Sequence, residues 1–166
     1  MPLPAVVSSG GEGGSGSAGV GSAGVGQAAS GGPVGELLRT RILEPAELTP
    51  TYLDGAEAAL PGLVHGHGRI QGRPVDTTSA VDPPAAGTAG ALVSTAGDLT
   101  RFYRKVLDGT LLGAATLEEM TTQVDAPLGA VSGYGLGLSR RESRLGSQLG
   151  HDGGIWGVHV LVLLRD

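Results

Sequence analysis

Residues 90–107 read Gly-Ala-Leu-Val-Ser-Thr-Ala-Gly-Asp-Leu-Thr-Arg-Phe-Tyr-Arg-Lys-Val-Leu and contain the clearest helix signal in the chain. Ser94 or Thr95 can cap the helix, and Asp98 follows Thr95 by three residues, in an acidic variant of the capping box. The apolar residues after it recur at helical spacing on one face: Leu99, Phe102, Tyr103, Val106 and Leu107. With Gly109 as a C-terminal stop, the pattern predicts an amphipathic helix over 98–108.

The residues after this helix predict one more helix and then an antiparallel sheet. A short helix is expected to begin near Ala115, with Leu117, Met120 and Val124 on one face. Three strand-like runs separated by glycine then predict a meander: Tyr134–Arg141, Ser147–His151 and Trp156–Leu164. Because residues 158–164 are nearly all apolar, we expect the last strand to be buried on both faces.

The residues before the helix divide into a glycine-rich segment and a loop-rich segment. Residues 1–33 consist mainly of Gly, Ser, Ala and Val, and we expect a disordered tail, because little apolar surface offsets the entropy of ordering glycine. A phosphate-binding loop would need a preceding strand and a following helix, which the pattern lacks. Residues 34–166 are predicted to form an α+β domain, with a helix over 36–43 ended by Pro45 and a two-stranded ribbon near 68–75.

Composition excludes several classes of function. The chain has 166 residues, a formal net charge of −5 and a pI of about 5.3, so it offers no basic footprint for nucleic acid. It contains no apolar run long enough to span a membrane, and the first residues lack the charge and apolar length of a signal peptide, so the localisation stays open. Without cysteine there is no disulfide or thiolate metal site, and we expect no metal and no cofactor.

Four stretches carry patterns that belong together: residues 41–52, 85–99, 134–138 and 150–157. The first two are similar to I-x-x-P-L-G-M-x-x-T and to the helix start A-G-G-x-x-S-T-A-x-D-L, the third is Tyr-Gly-Leu-Gly-Leu, and the fourth contains His-x-Gly. Together they resemble the beta-lactamase-related serine hydrolases, the family of D-alanyl-D-alanine carboxypeptidases, class C beta-lactamases and related esterases. The resemblance covers residues 36–166 and implies the C-terminal part of a beta-lactamase/transpeptidase-like fold, with an antiparallel sheet and flanking helices.

The resemblance also implies roles for four residues. In the family, Ser-x-x-Lys, Tyr-x-Asn and Lys-Thr-Gly or His-x-Gly meet in one cleft, and only the last has a match here, at His151-Asp152-Gly153. His151 would line the catalytic site, Asp152, Gly153 and Gly154 would contact substrate, and the Gly154 N–H would be an oxyanion donor. Lys105, the only lysine, has Phe102 three residues before it, and the chain has no asparagine, so neither other motif exists. We therefore expect a fragment that is inactive alone, or alternatively a non-catalytic binding module that retains the cleft wall.

The substrate class and two weaker interpretations remain open at this stage. Asp152 stands where carboxypeptidases of the family often have Thr, and a carboxylate would repel a substrate carboxylate, so peptide, beta-lactam and ester substrates all stay candidates. His65 and His67 are expected to be polar loop residues rather than metal ligands, and His159 a core histidine. A third hypothesis makes Ser94 or Ser132 a nucleophile with His151 as base. We also expect self-association through exposed sheet edges.

Overall fold

The chain folds into helices and antiparallel sheets, as the sequence predicts. The computed structural model describes residues 5–7, 31–78, 87–155 and 157–165. The helices are α1 (Val34–Leu38), which continues into a π-helical segment (Arg39–Leu43), α2 (Ala96–Leu107) and α3 (Ala114–Thr121), with a 3-10 turn at Gly87–Ala89. The strands are β1 (Ala5–Val7), β2 (Tyr52–Leu53), β3 (His67–Ile70), β4 (Arg73–Asp76), β5 (Leu92–Ser94), β6 (Val124–Leu128), β7 (Val131–Tyr134), β8 (Ser139–Ser143), β9 (Gly146–Ile155) and β10 (Val158–Arg165).

The described strands form three antiparallel groups. The largest is a five-stranded meander in the order β10-β9-β8-β7-β6. A small sheet has the order β1-β5-β2, and β3 pairs with β4 in the expected two-stranded ribbon. In a meander each strand pairs with its neighbour in sequence, so short turns are enough to connect all five strands.

Helix α2 begins and ends at the signals that the sequence contains. The Thr95 hydroxyl accepts a hydrogen bond from the Asp98 N–H at 3.1 Å, which is the predicted cap. Gly109 adopts a positive φ of 78° just past the helix and ends it. Of the predicted apolar face only Val106 is fully buried, and the other four side chains are half-buried.

A buried polar network joins the two stretches that contain the first two family patterns. Thr51 donates to the Asp98 carboxylate at 2.7 Å, so the Ser94 hydroxyl is the donor in its 2.8 Å contact with Thr51. All three side chains are buried. Arg101 donates to the other Asp98 oxygen at 3.0 Å, so the buried charge is paired and hydrogen-bonded. The network fixes the start of α2 against the segment that precedes β2.

The predicted helix near Ala115 and the first predicted strand of the meander are wrong in detail. Residues 134–141 do not form one strand, because β7 ends at Tyr134 and a glycine-containing turn leads into β8 at Ser139. Helix α3 ends at Thr121, so Val124 lies in β6, and its side chain is 66% exposed. Val124 therefore does not share a helix face with Leu117.

The prediction that the last strand is buried on both faces is also wrong. Strand β10 lies at the end of the five-stranded sheet, and none of its described side chains is fully buried. Leu161 is 55% exposed. The apolar run therefore forms an edge strand, although its sequence pattern is typical of a strand buried on both faces.

The expected tail falls largely outside the residues that the structure describes. Ala5–Val7 form β1, which pairs with Leu92–Ser94, so three residues of the predicted tail lie in a strand. Residues 8–30 lie outside the described residues, and their flexibility stays a prediction.

Candidate functional site

One strand edge of the meander is open beside the His-x-Gly motif. Strand β8 pairs with β9 only as far as Gly150, which lies opposite Ser139. Strand β10 pairs with β9 along its whole length to Ile155. Within the described part of the chain, residues 151–155 therefore pair with another strand on one side only. An open strand edge offers unpaired backbone N–H and C=O groups to an extended ligand.

The register identifies which backbone groups face this open edge. Strands β9 and β10 are separated by two residues, so Ile155 and Val158 form the hydrogen-bonded pair that closes the hairpin. Because such pairs alternate along an antiparallel ladder, the N–H and C=O groups of Gly154 and Asp152 face away from β10. Gly150 has the same orientation, and its carbonyl accepts from the Ser139 hydroxyl of β8 at 3.0 Å. The Gly154 N–H is thus directed to the open edge.

The His151 side chain is held by two hydrogen bonds. Its Nε2 lies 2.6 Å from the Tyr134 hydroxyl, and its Nδ1 contacts the backbone carbonyl oxygen of Asp152. The Tyr134 and His151 rings meet edge to face at an angle of 84°, with 5.7 Å between their centroids. Tyr134 is the last residue of β7, and β8 begins at Ser139. The Tyr134 side chain extends across the start of β8 and contacts His151.

Asp152, which lies on the same open edge of β9, forms an ion pair. Arg141 donates to its Oδ1 at 2.5 Å, and the side chains of Arg141 and Asp152 are 19% and 57% exposed. The Asp152 carboxylate is therefore accessible but already partly neutralised. Desolvation, with a smaller contribution from the Asp152 charge, raises the pKa of Tyr134, so this hydroxyl keeps its proton.

A largely apolar cavity of about 380 Å³ lies between α2 and the sheet, and Tyr134 and His151 form part of its wall. Leu99, Phe102 and Tyr103 of α2 line the opposite side. Burial raises the pKa of Tyr103 to about 12, with further contributions from Tyr134 and Asp152. The half-buried face of α2 thus faces this cavity, while Phe102 also packs against a buried core cluster.

The Tyr-Gly-Leu-Gly-Leu stretch has a local structural explanation. The Gly135 N–H donates to the Leu138 carbonyl at 2.8 Å, and the Leu136 N–H donates to the Met120 carbonyl at 3.1 Å, so the turn packs against the end of α3. A Cβ at Gly135 would overlap the Met120 carbonyl oxygen. Gly137 has a positive φ of 75°, and Leu138 is fully buried. The turn therefore places Tyr134 beside His151.

The other histidines do not join this cluster. His65 Nδ1 lies 2.5 Å from the Asp76 carboxylate, and this contact lowers the pKa of Asp76. Among the described residues, no three His, Cys, Asp or Glu side chains group as a metal site would require. The prediction of a core histidine at position 159 is wrong: His159 is exposed, and its ring lies where a Cβ of Gly154 would stand.

The two serines of the third hypothesis have other hydrogen-bond partners than His151. Ser94 lines the same cavity as His151 but is buried in the network with Thr51, and the Ser132 hydroxyl donates to the Arg140 carbonyl at 3.3 Å. The Nε2 atom of His151 is already bonded to Tyr134. Sequence reasoning missed Tyr134 and Arg141 as partners of the His151-Asp152 pair, because the alignment of β7, β8 and β9 decides these contacts. Trp156 lies outside the described residues.

Comparison with known proteins identifies the family to which this α+β fold belongs. The Beta-lactamase family model matches residues 4–166. A D-stereospecific amidohydrolase from Streptomyces sp. is 33% identical, with a TM-score of 0.74 over 87% of this chain and 44% of that one. D-amino acid amidase from Ochrobactrum anthropi SV3, complexed with L-phenylalanine amide, is 25% identical, with a TM-score of 0.75 over 89% and 45% of the two chains.

A third solved structure extends the likeness to penicillin-binding proteins. The octameric penicillin-binding protein homologue from Pyrococcus abyssi is 26% identical, with a TM-score of 0.64 over 77% of this chain and 30% of that one. The chain belongs to the beta-lactamase family of serine hydrolases. It spans less than half the length of these relatives. No helix among the described residues has the length and apolar character needed to cross a membrane.

Proposed function

We propose that this chain supplies the His-x-Gly wall of an acyl-transfer site in a serine hydrolase. The observation that carries the proposal is the open edge of β9 over residues 151–155, with the Gly154 N–H directed to it. An oxyanion forming at this edge would accept a hydrogen bond from that N–H. Gly153 and Gly154 add no side chains that would block the approach of a substrate.

The remaining residues of the motif have distinct roles in this proposal. His151 lines the site as a polar group held in one orientation, and it is our candidate catalytic residue. Asp152 contacts the substrate along the open edge, and Gly153, which has no side chain, lets the substrate approach the strand closely. A serine nucleophile would attack the substrate carbonyl, release the leaving group from the acyl-enzyme, and be regenerated by water. This sequence contains no Ser-x-x-Lys to provide that nucleophile, so we propose that the chain is inactive alone.

Amides and esters without a neighbouring carboxylate are the substrates that fit this wall best. The Asp152 carboxylate is more exposed than its partner Arg141 and would repel a second carboxylate at the edge. Two of the solved relatives are described as an amidohydrolase and a D-amino acid amidase, and amides of amino acids carry no free α-carboxylate. We therefore favour a small amide or ester over a peptide with a C-terminal carboxylate.

Covalent labelling tests the claim of inactivity. A fluorescent fluorophosphonate and a fluorescent penicillin should both fail to label the chain, because an adjacent base is needed to activate a serine. A His65→Ala variant is a matched control for His151→Ala, since both remove an imidazole. Stoichiometric labelling of one serine that is lost in His151→Ala but kept in His65→Ala would overturn the proposal and favour a rebuilt Ser–His pair.

A second candidate function is a binding module that uses the same wall without chemistry. The open edge of β9 and the His151 cluster are present although the chain lacks the nucleophile motif. Backbone amide NMR with phenylalanine amide distinguishes the two functions. Shifts confined to residues 151–155, together with absent labelling, would favour the binding module. Labelling restored by a separately supplied segment with Ser-x-x-Lys and Tyr-x-Asn would favour the hydrolase fragment.

A further inference from the structure

We propose that Tyr134 is a positioning residue that fixes His151 in one tautomer, with the proton on Nδ1 and the lone pair of Nε2 bound to the Tyr134 hydroxyl. The two atoms lie 2.6 Å apart, a normal distance for a strong hydrogen bond to a hydroxyl. The inference rests on the proposed function only for its catalytic consequence, because the tautomer is a property of the chain itself.

Two partners, one on each ring nitrogen, together favour the proton on Nδ1. Nδ1 contacts the backbone carbonyl oxygen of Asp152, and a carbonyl oxygen can only accept a hydrogen bond. Nδ1 must therefore be the donor, and in the neutral ring Nε2 is then the acceptor. The Tyr134 hydroxyl supplies the matching donor. Its raised pKa, caused first by desolvation, favours the protonated phenol that this arrangement requires.

The surroundings of the ring make Tyr134 the group that completes this arrangement. Asp152 belongs to the same strand as His151 and is engaged by Arg141 of β8, which leaves its carboxylate outside the ring's hydrogen bonds. Tyr103 of α2 lines the same cavity, but the hydrogen bond to Nε2 is made by Tyr134. The edge-to-face contact of the two rings further restricts rotation of the imidazole.

The catalytic consequence follows from the occupied lone pair. A serine hydroxyl cannot use Nε2 as a base while the Tyr134 hydroxyl donates to it. Tyr134 thus keeps His151 in one tautomer and one orientation at the wall of the site, and it acts through His151 rather than on the reacting atom.

The tautomer can be measured by ¹⁵N NMR of the histidine ring nitrogens in the full chain. A His151→Gln variant identifies the His151 signals among the four histidines. At a pH where the ring is neutral, wild-type His151 should show a protonated Nδ1 and an unprotonated Nε2. Tyr134→Phe should shift the population towards a protonated Nε2, whereas the matched variant Tyr103→Phe should leave it unchanged.

Two results would overturn the inference. A protonated Nε2 in the wild-type chain refutes it directly, and this measurement does not depend on the folding of the Tyr134→Phe variant. An unchanged tautomer in a folded Tyr134→Phe chain shows that the Asp152 carbonyl alone fixes the ring. Neither result depends on labelling by a fluorophosphonate, so failure of this inference and failure of the proposed function are separate outcomes.

Discussion

Two positions around the sheet accept only glycine, because a Cβ there would overlap neighbouring atoms. This steric restriction explains the glycines that the family pattern has at these positions. A Cβ at Gly150 would overlap the Val162 carbonyl oxygen of β10. One at Gly157, whose φ is 82°, would overlap the Thr77 side chain and approach the backbone N of His67 to 2.6 Å. These glycines let the β9–β10 hairpin pack closely against its neighbours, so they belong to the shape of the open edge rather than to its chemistry.

Gly135→Ala tests the residue that places Tyr134. The added methyl group would overlap the Met120 carbonyl and lie 2.7 Å from Gln123 Nε2, so the turn or the end of α3 must move. We expect a loss of about 1–3 kcal/mol in the free energy of unfolding, the usual cost of overpacking. The measurement is urea denaturation followed by circular dichroism.

Gly97→Ala is the matched control for Gly135→Ala. Gly97 lies in the first turn of α2, and a methyl group added there would have Thr95 Oγ1 as its nearest neighbour, at 3.8 Å. Alanine should stabilise this helix by up to about 1 kcal/mol, because it restricts the unfolded chain and favours the helix. Equal effects of the two substitutions would contradict the assigned role of Gly135.

At the residue scale, sequence reasoning succeeds where the partners are close in the chain. The cap at Thr95 is three residues from Asp98, and the spacing alone predicted it. Tyr134 and His151 are 17 residues apart, and Thr51 and Asp98 are 47 apart, so only the packed fold brings these pairs together. The sequence therefore indicated His151 through a motif but gave no sign of the tyrosine that holds it.

At the element scale, helix α2 connects the predicted pattern with the site. Its apolar face was predicted from spacing, and most of that face lines the cavity beside Tyr134 and His151. Strands were harder to predict, because the run at 134–141 alternates as a strand does while its glycines instead form a turn. Strand β10 has the composition of a central strand but lies at an edge. Composition reports the apolar character of a strand and not the presence of a neighbour.

The titration of Tyr103 tests whether the face of α2 is desolvated. Its pKa is raised to about 12 from an ordinary value of 10.0, so the folded state holds this proton more tightly than the unfolded state. Its contribution to stability is therefore complete below pH 10 and is lost as the pH rises towards 12. Unfolding free energies measured across this range should fall with pH.

A Tyr103→Phe variant isolates this contribution. Without the phenol, the fall in stability between about pH 10 and 12 should become shallower, although Tyr52 and Tyr134 also have raised pKa values and contribute in the same direction. Absorbance titration of the folded wild-type chain should show one tyrosine ionising last. Identical pH profiles for the two chains would mean that Tyr103 is solvated and does not form a dry wall of the cavity.

At the scale of the whole molecule, the described residues form a sheet whose end strand has a neighbour on one side only. Strand β10 pairs with β9 along its length, and no described strand pairs with its other edge. A long apolar edge strand favours pairing with another chain, since its backbone groups and side chains both gain from a neighbour.

Leu161→Lys tests self-association through β10. Leu161 is 55% exposed in the middle of this edge strand, and a charge placed there should oppose pairing with a second copy. We expect the wild-type chain to form concentration-dependent oligomers in analytical ultracentrifugation and the variant to remain largely monomeric.

Leu145→Lys is the control, because Leu145 is 64% exposed but lies between β8 and β9, away from the edge. A wild-type chain that is monomeric at every concentration would refute the idea. Equal loss of oligomers in both variants would show that net charge, rather than the β10 edge, governs association.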